Sequence, residues 1–370
     1  ASKYEPGYEG IGVVDVANYY SYDAIQACEP ALAEDPANTQ LMAWLGNAYV
    51  SDNKVDLAIP LLEPSAAGGN VVALRALGDL LMLGKGEVRD TERGLKLLNA
   101  AADAGFPPAA LSLAYSYDYG DGVDAKAETA FQWYLKAAQG GVARAAIIVA
   151  QRYRQGRGVD ASDADAFTWF ANAADNGDAE GQYYLGVAYL EGRGADANSA
   201  FALDAFKQSA DAFNAHGLAA LGYMTELGIG LDANIDEAAQ LYTSARVSNL
   251  PIAKHNLALL EEDGRGTAIN PEDSRLLYRQ AAQAGEMRAA VNLGVILLTG
   301  KGGPVDVAEA LKWTQRAADA GLASGINNLG RFYELGLGVD VDKTKAQDLY
   351  GKAAAMGYDL ASDNLKRLGN

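Results

Sequence analysis

Residues 178–213 read DAEGQYYLGVAYLEGRGADANSAFALDAFKQSADAF, and this stretch decides the fold. Two segments with helical spacing are joined by a turn that contains Gly192 and Gly194. The same 36-residue pattern recurs without insertion or deletion, starting at Asn70, Phe106, Val142, Asp178, Asn214, Leu250, Glu286 and Leu322. A repeat of this kind predicts stacked helix pairs, because each pair can bury its apolar side only against its neighbours.

The first helix of each repeat carries small residues beside a large apolar one. In the quoted repeat, Gly181 and Gly186 are positions four and nine, and Leu185 is position eight. The small residues let the next helix approach closely, and the leucine fills the space between. Glycines at positions 15 and 17, here Gly192 and Gly194, end the helix because glycine reaches positive φ without a Cβ clash.

The second helix begins after a capping residue at position 21. Seven repeats have a side chain there that accepts hydrogen bonds from a helix start, and only Lys126 does not. The seven residues are Asp90, Ser162, Asn198, Asn234, Asn270, Asp306 and Asp342. The spacing therefore predicts where each second helix begins.

These residues resemble Sel1-like repeats, a branch of the tetratricopeptide superfamily. Trp133-Tyr134 and Trp169-Phe170 match the aromatic pair of that family, and Tyr189 matches its first-helix tyrosine. The resemblance runs from residue 70 to residue 357. It implies an all-α fold, a right-handed superhelical solenoid of helix-turn-helix repeats whose first helices line the inner face.

The chain outside the array divides into three segments. Residues 1–12 are expected to be an extended leader, and residues 13–69 an N-terminal cap of tetratricopeptide type. Residues 358–370 start one more unit without a second helix, which is the pattern of a terminal capping helix. No linker separates these parts, so the sequence favours one elongated domain.

Composition limits the classes of partner. The formal net charge is -18, which argues against general nucleic-acid binding and against an anionic membrane surface. No apolar run approaches the roughly 20 residues of a membrane span. Cys28 is the only cysteine, so no intrachain disulfide can form.

Location and oligomeric state are weaker expectations. The chain starts Ala1-Ser2-Lys3, which fits a removed signal peptide or a trimmed tag. Because many Sel1-like proteins of bacteria are exported, the resemblance favours a periplasmic or secreted protein, with a cytoplasmic one as the alternative. We expect a monomer.

Catalytic or metal-binding patterns are scarce. The two histidines, His216 and His255, lie in neighbouring repeats, where a shared site is one interpretation and surface or groove positions are the other. Acidic residues around Gly120-Asp121-Gly122 suggest calcium, but their spacing is not that of an EF-hand. We therefore predict no catalytic residues, no metal and no cofactor.

The expected binding surface comprises positions three, six, seven, ten, thirteen and fourteen of the repeats. Three features stand out on it: a ladder of asparagines, which can pair with a peptide backbone, a group of tyrosines, and an arginine-rich run that could hold an acidic segment. The predicted partner-binding residues are Tyr115, Arg144, Gln151, Arg154, Tyr183, Tyr184, Tyr223, His255, Asn256, Asn292, Asn327, Asn328 and Arg331. For each feature the alternative is internal packing or a solvated face.

The sequence thus favours a non-enzymatic scaffold or adaptor that binds a protein or peptide on its concave face. The resemblance implies a role in bacterial envelope assembly or signalling. The alternative is a protein that binds or hydrolyses cell-wall fragments or β-lactams, for which the chain shows no convergent acid, base or nucleophile.

Overall fold

The structure is a computed structural model, and it describes residues 21–84 and 88–369. The predicted leader, residues 1–12, and the first part of the predicted cap, residues 13–20, lie outside these residues. The chain divides into two compact units, one ending at Ala197 and the other beginning at Asn198. Over residues 21–84 and 88–369 every regular element is a helix, which confirms the all-α class.

The described residues of the first unit form ten helices, nearly all of 13 residues. Their bounds are α1 Ser21–Glu34, α2 Thr39–Ser51, α3 Val55–Ala67, α4 Val71–Leu83, α5 Thr91–Asp103, α6 Pro107–Tyr119, α7 Ala127–Gln139, α8 Ala143–Gln155, α9 Asp163–Asp175 and α10 Ala179–Glu191.

The described residues of the second unit form ten more helices with the same alternation. Their bounds are α11 Ser199–Asp211, α12 Ala215–Leu227, α13 Ile235–Arg246, α14 Pro251–Asp263, α15 Pro271–Gln283, α16 Met287–Thr299, α17 Val307–Asp319, α18 Ala323–Leu335, α19 Lys343–Ala355 and α20 Asp359–Gly369. Within each unit a first helix packs on the second helix of its own repeat and on that of the preceding repeat, as in a solenoid.

Capping side chains start the second helices where the sequence predicted them. Asp90 accepts a hydrogen bond from the amide of Arg93, and Asp306 accepts one from the amide of Glu309. All seven predicted caps accept such bonds, whereas Lys126 makes no side-chain cap. Each cap satisfies a backbone N–H that has no partner inside the helix, so the start of the helix is fixed locally.

The two turn glycines have different physical roles. Gly300 ends α16 at φ +71°, the left-handed conformation that a Cβ disfavours. Gly302 also has φ +71°, and a Cβ there would lie 2.0 Å from the carbonyl oxygen of Pro271 in the preceding repeat. The second glycine thus lets the turn lie on the neighbouring backbone. Gly84 departs from the expectation, since it ends α4 with φ -60°.

The core is built from alanine and leucine, as the small-residue positions predicted. Leu293 and Ala289 of α16 are fully buried, and so is Ala317 of α17. A Cβ on Gly325 would lie 2.9 Å from the Cβ of Ala317, which shows how closely the helices approach. Burying a leucine side chain contributes about 1.5–3 kcal/mol, so each repeat is stabilised mainly by these contacts with its neighbours.

Candidate functional site

A buried tyrosine bonded to an acidic residue recurs in four repeats. The hydroxyl of Tyr278, at position 29, donates to Glu262 Oε2, at position 13, over 3.0 Å. The same pair occurs as Tyr134 with Asp118, Tyr242 with Glu226 and Tyr350 with Glu334. Each tyrosine is essentially inaccessible to solvent, and burial raises its pKa. The acid supplies the acceptor that a buried hydroxyl requires.

A cation from the following repeat completes each pair. In three cases it is position 16, between the two turn glycines. Lys301 Nζ lies 3.1 Å from Glu262, Arg265 lies 3.3 Å from Glu226, and Arg157 lies 2.8 Å from Asp118. Each of these three networks joins a first helix, the second helix of the same repeat and the turn of the following repeat.

The network around Asp118 contains a second arginine. Arg152 of α8 has only 4% of its surface exposed and pairs with Asp118 through Nη2. Its guanidinium carbon lies 4.8 Å from the centroid of the Tyr134 ring. Its Nε and Nη1 atoms are buried without a hydrogen-bond partner. A buried donor without a partner costs about 1–3 kcal/mol, so this guanidinium gains from a ligand that accepts hydrogen bonds.

Arg152 opens onto a polar cleft of ≈ 330 Å³ between α6 and α8, which we call the arginine cleft. Its lining consists of Tyr115, Asp118, Tyr119, Tyr134, Arg144, Ile148, Gln151, Arg152, Gln155 and Arg157. The lining holds three arginines and one aspartate, and Glu180 pairs with Arg144 beside it, so three positive and two negative groups leave a net charge of +1 there. A carboxylate is the chemical group that such a cleft fits.

Three predicted site residues lie together in this cleft. Arg144 of α8 lies beside the hydroxyl of Tyr115 and pairs with Glu180 at 2.9 Å. Tyr115 stacks on Tyr119 with ring centroids 6.1 Å apart. Gln151 lies on the same side of α8, beside Tyr184. The groove positions of the repeat therefore brought these side chains together.

Two other predicted residues of the first unit, Arg154 and Tyr184, line a narrow cleft beside α10, and a third, Tyr183, contacts Tyr184. The ring of Tyr184 stacks on Phe170 at 4.9 Å and contacts Tyr183 at 5.1 Å. Arg154 lies beside Tyr184 there. The cleft has a volume of only ≈ 10 Å³, so these side chains pack mainly on one another.

The asparagines of the second unit face internal side chains. Asn256 lies beside the hydroxyl of Tyr242 and Asn292 beside that of Tyr278, where each amide opposes the rise in the pKa of the tyrosine. Asn327 is buried, donates to Asn328 Oδ1 at 3.3 Å and accepts from Asn364 at 2.9 Å. These contacts correspond to the internal-packing alternative.

The two histidines differ in environment. His216 is exposed, whereas His255 is 5% exposed with Nδ1 buried and unpartnered. Burial lowers the pKa of His255 to about 4. Its imidazole ring is therefore neutral at pH 7 and packs 5.9 Å from the Tyr278 ring.

The remaining predicted residues are more exposed. Tyr223 is 46% exposed on α12. Arg331 and Asn328 of α18 line an apolar cavity of ≈ 120 Å³, which we call the socket. Its other lining residues are Gly294, Val295, Leu298, Thr299, Thr314, Phe332 and Leu337.

Sequence reasoning missed the importance of Asp118, which it considered as a calcium ligand. The carboxylate is instead engaged by Arg152, Arg157 and Tyr134. Among the described residues no group of His, Cys, Asp or Glu side chains could hold a metal ion. The sequence does contain a pattern that indicates this pairing, since every repeat with a tyrosine at position 29 has an acid at position 13. The repeats with Phe170 and Phe206 at position 29 have Arg154 and Leu190 at position 13.

A family model for the Sel1 repeat matches the chain eight times. The matched residues are 71–106, 107–142, 143–178, 179–212, 215–246, 251–286, 288–322 and 323–358. Because the matches cover more than half of the chain, the protein belongs to the Sel1 repeat family. This is a helical repeat fold that generally serves as a protein-interaction scaffold.

Two solved structures show the same fold. One is described as c5321, a protective antigen present in uropathogenic Escherichia coli strains displaying an SLR fold. It is 30% identical over 83% of this chain, with a TM-score of 0.68, and this chain spans 66% of its length, just under two thirds. The other is a Sel1 repeat protein from Oxalobacter formigenes, 25% identical over 85% of this chain and 94% of that protein, with a TM-score of 0.63.

No curated protein matches the chain. In the described part of the chain, every helix is too short or too polar to cross a membrane.

Proposed function

We propose that this Sel1 repeat protein is a non-enzymatic adaptor whose arginine cleft holds an acidic side chain of a partner protein. The observation that carries the proposal is Arg152, a buried guanidinium with two unpartnered donors that lines a cleft large enough for a side chain. A carboxylate can accept from two guanidinium nitrogens at once.

The surroundings favour a protein segment over a small ion. Tyr115 and Tyr119 form a stacked pair on one side of the cleft, and tyrosine provides broad contact at a small entropic cost. Gln151 and Gln155 add amides that can pair with a peptide backbone. The helices that present these groups are already folded, so little ordering accompanies binding.

The setting that we propose is bacterial envelope assembly or signalling, with a monomeric protein in the periplasm or secreted. The similarity to a protein described as a protective antigen of uropathogenic Escherichia coli supports an envelope setting. The net charge of -18 means that an acidic partner must be drawn by the local arginines against the field of the whole protein.

A direct binding assay tests the proposal. A fluorescein-labelled decapeptide of alternating Glu and Gly is compared with its Gln counterpart by fluorescence anisotropy, at 0.15 M salt, where the screening length is about 8 Å. We expect the Glu peptide to bind about tenfold more tightly. Arg144→Gln, at the exposed rim, should weaken that binding about fivefold.

The matched control is Arg93→Gln. Arg93 is an exposed arginine of the same unit that pairs with Glu63 away from the cleft, so its loss should leave binding unchanged. Equal binding of the Glu and Gln peptides would refute the proposal. Equal effects of Arg144→Gln and Arg93→Gln on binding would also refute it. Hydrolysis of cell-wall fragments or β-lactams that is lost in His255→Ala would also overturn the non-enzymatic assignment.

A further inference from the structure

The seventh repeat lacks the tyrosine network that its neighbour has. Where the sixth repeat has Glu262 and Tyr278, the seventh has Leu298 and Thr314. The cation between the turn glycines is replaced too, because Leu337 occupies the position that Lys301 has one repeat earlier. All three positions change from polar to apolar or small together, and all three replacements line the socket.

The socket has a closed floor and an open rim. Gly294, Thr314 and Phe332 are buried and form the floor. Val295 and Arg331 are exposed and form the rim. Its volume of ≈ 120 Å³ is close to that of an engineered cavity of roughly 150 Å³ that accepts a benzene ring. One six-membered ring therefore fits.

Other repeats of the array show which side chain occupies the corresponding space. A Cβ on Gly222 would lie 2.8 Å from the ring of Tyr242, and one on Gly330 would lie 2.8 Å from the ring of Tyr350. Position nine is glycine in these two repeats, whereas Ala114 and Ala258 occupy it in the repeats of Tyr134 and Tyr278. In the seventh repeat a Cβ on Gly294 would lie 2.5 Å from Thr314 Oγ1, and the threonine, which has no ring, leaves open the space that a tyrosine ring fills in those repeats.

The hydrogen-bonding group for a phenol is also retained. Asn256 and Asn292 lie beside the tyrosine hydroxyls of the preceding repeats, and Asn328 occupies the same position beside the socket. The Oδ1 atom of Asn328 accepts from Asn327, so its amide nitrogen is the group that remains for a guest.

We propose that the socket receives a tyrosyl side chain from a partner polypeptide. The ring replaces the internal tyrosine that the repeat lacks, and its hydroxyl accepts from Asn328. The open rim leaves room for the partner's backbone, beside which Arg331 can meet a carbonyl or an acidic group. The inference shares with the proposed function only the premise that the guest is a polypeptide, and it concerns the other unit.

The test measures binding of three probes by ligand-observed NMR: N-acetyl-tyrosine methylamide, its phenylalanine counterpart and p-cresol. Ligands of this size should bind in the millimolar range or somewhat below. We expect the tyrosine derivative to bind at least as tightly as p-cresol. Asn328→Leu should weaken the tyrosine derivative about fivefold and leave the phenylalanine derivative nearly unchanged.

Two variants block the socket in different ways. Leu298→Glu with Thr314→Tyr fills it from inside with the network of the sixth repeat. Val295→Trp covers it from the rim at a residue that is 46% exposed, so this variant is expected to fold even where the first does not. Both should abolish binding, whereas Val247→Trp, at an 84% exposed valine of the same unit, should not.

The proposal is overturned if Val295→Trp binds the probes as the wild type does. It is also overturned if p-cresol binds but the tyrosine derivative does not, which would assign the socket to a small phenol. The acidic-peptide assay with Arg144→Gln reports on the arginine cleft alone, so failure of one proposal is distinguishable from failure of the other.

Discussion

The tyrosine–acid network predicts a specific energetic coupling between Tyr278 and Glu262. Tyr278→Phe keeps the ring but removes the hydroxyl that donates to Glu262 at 3.0 Å. Hydrogen bonds to charged groups contribute about 1.5–3 kcal/mol. Because Glu262 keeps Lys301 as a partner, we expect the lower end, about 1.5 kcal/mol lost from the free energy of unfolding.

The reciprocal change should cost at least as much. Glu262→Leu leaves the buried Tyr278 hydroxyl without its acceptor, which costs about 1–3 kcal/mol, and removes the nearer of the two carboxylates that pair with Lys301. The double variant has neither the tyrosine hydroxyl nor the carboxylate, so neither is left without its partner. The double variant should therefore lose about 1–2 kcal/mol less free energy of unfolding than the sum of the two single losses.

Equilibrium urea unfolding followed by circular dichroism measures the three free energies. Hydrogen exchange in α14 and α15 checks that the effect is local, because repeat proteins need not unfold in one step. Tyr119→Phe, at a tyrosine that is 69% exposed, is the control and should change stability by less than about 0.5 kcal/mol. Additive losses within about 0.3 kcal/mol would refute the coupling.

Three further outcomes are expected. Gly302→Ala should lower the free energy of unfolding in urea by at least about 2 kcal/mol, because a Cβ meets backbone atoms there. Gly285→Ala, with open space around the new Cβ, should lower it by only about 1 kcal/mol. Similar losses for the two variants would contradict this. Folding lowers the pKa of His255 from 6.5 to about 4, so the unfolded chain binds a proton there before the folded chain does as the pH falls. Between pH 7 and pH 5 the free energy of unfolding of the wild type should therefore fall by about 2 kcal/mol relative to that of His255→Leu. A difference in free energy that stays constant over this range would refute the sign. Arg367 lowers the pKa of Glu334 to about 2, so the ionised carboxylate stabilises the fold above pH 4.5, and this stabilisation is lost as the pH falls toward 2. In Arg367→Ala the pKa of Glu334 measured by NMR should move back toward 4.5. An unchanged pKa would show that Arg367 is not the cause.

Helix bounds could be predicted because their signals are local. The cap of α17, Asp306, bonds the amide of Glu309 three residues later, and Gly300 ends α16 through its own backbone conformation. Such features depend on neighbouring residues and hardly on the rest of the chain. The constant spacing of 36 residues then extends one correct helix pair to all eight.

The sites were predicted only as positions on a groove. Position ten named both Tyr115 and Arg331, and both line a cavity. The same reasoning also named Asn292, whose amide lies beside an internal tyrosine, Tyr278. A position on a helix face indicates the direction in which the side chain points. It does not show whether that side chain already has an internal partner.

The sequence by itself determined the helical class, the repeat register and the starts of the second helices, since each follows from contacts within a few residues. Only the tertiary structure decided which groove positions stay open. Asp118, Tyr134 and Arg157 come from three separate elements, and their meeting leaves Arg152 with unpartnered donors. Leu298, Thr314 and Leu337 meet in the same way and leave a hole, because packing depends on what three distant side chains fill together.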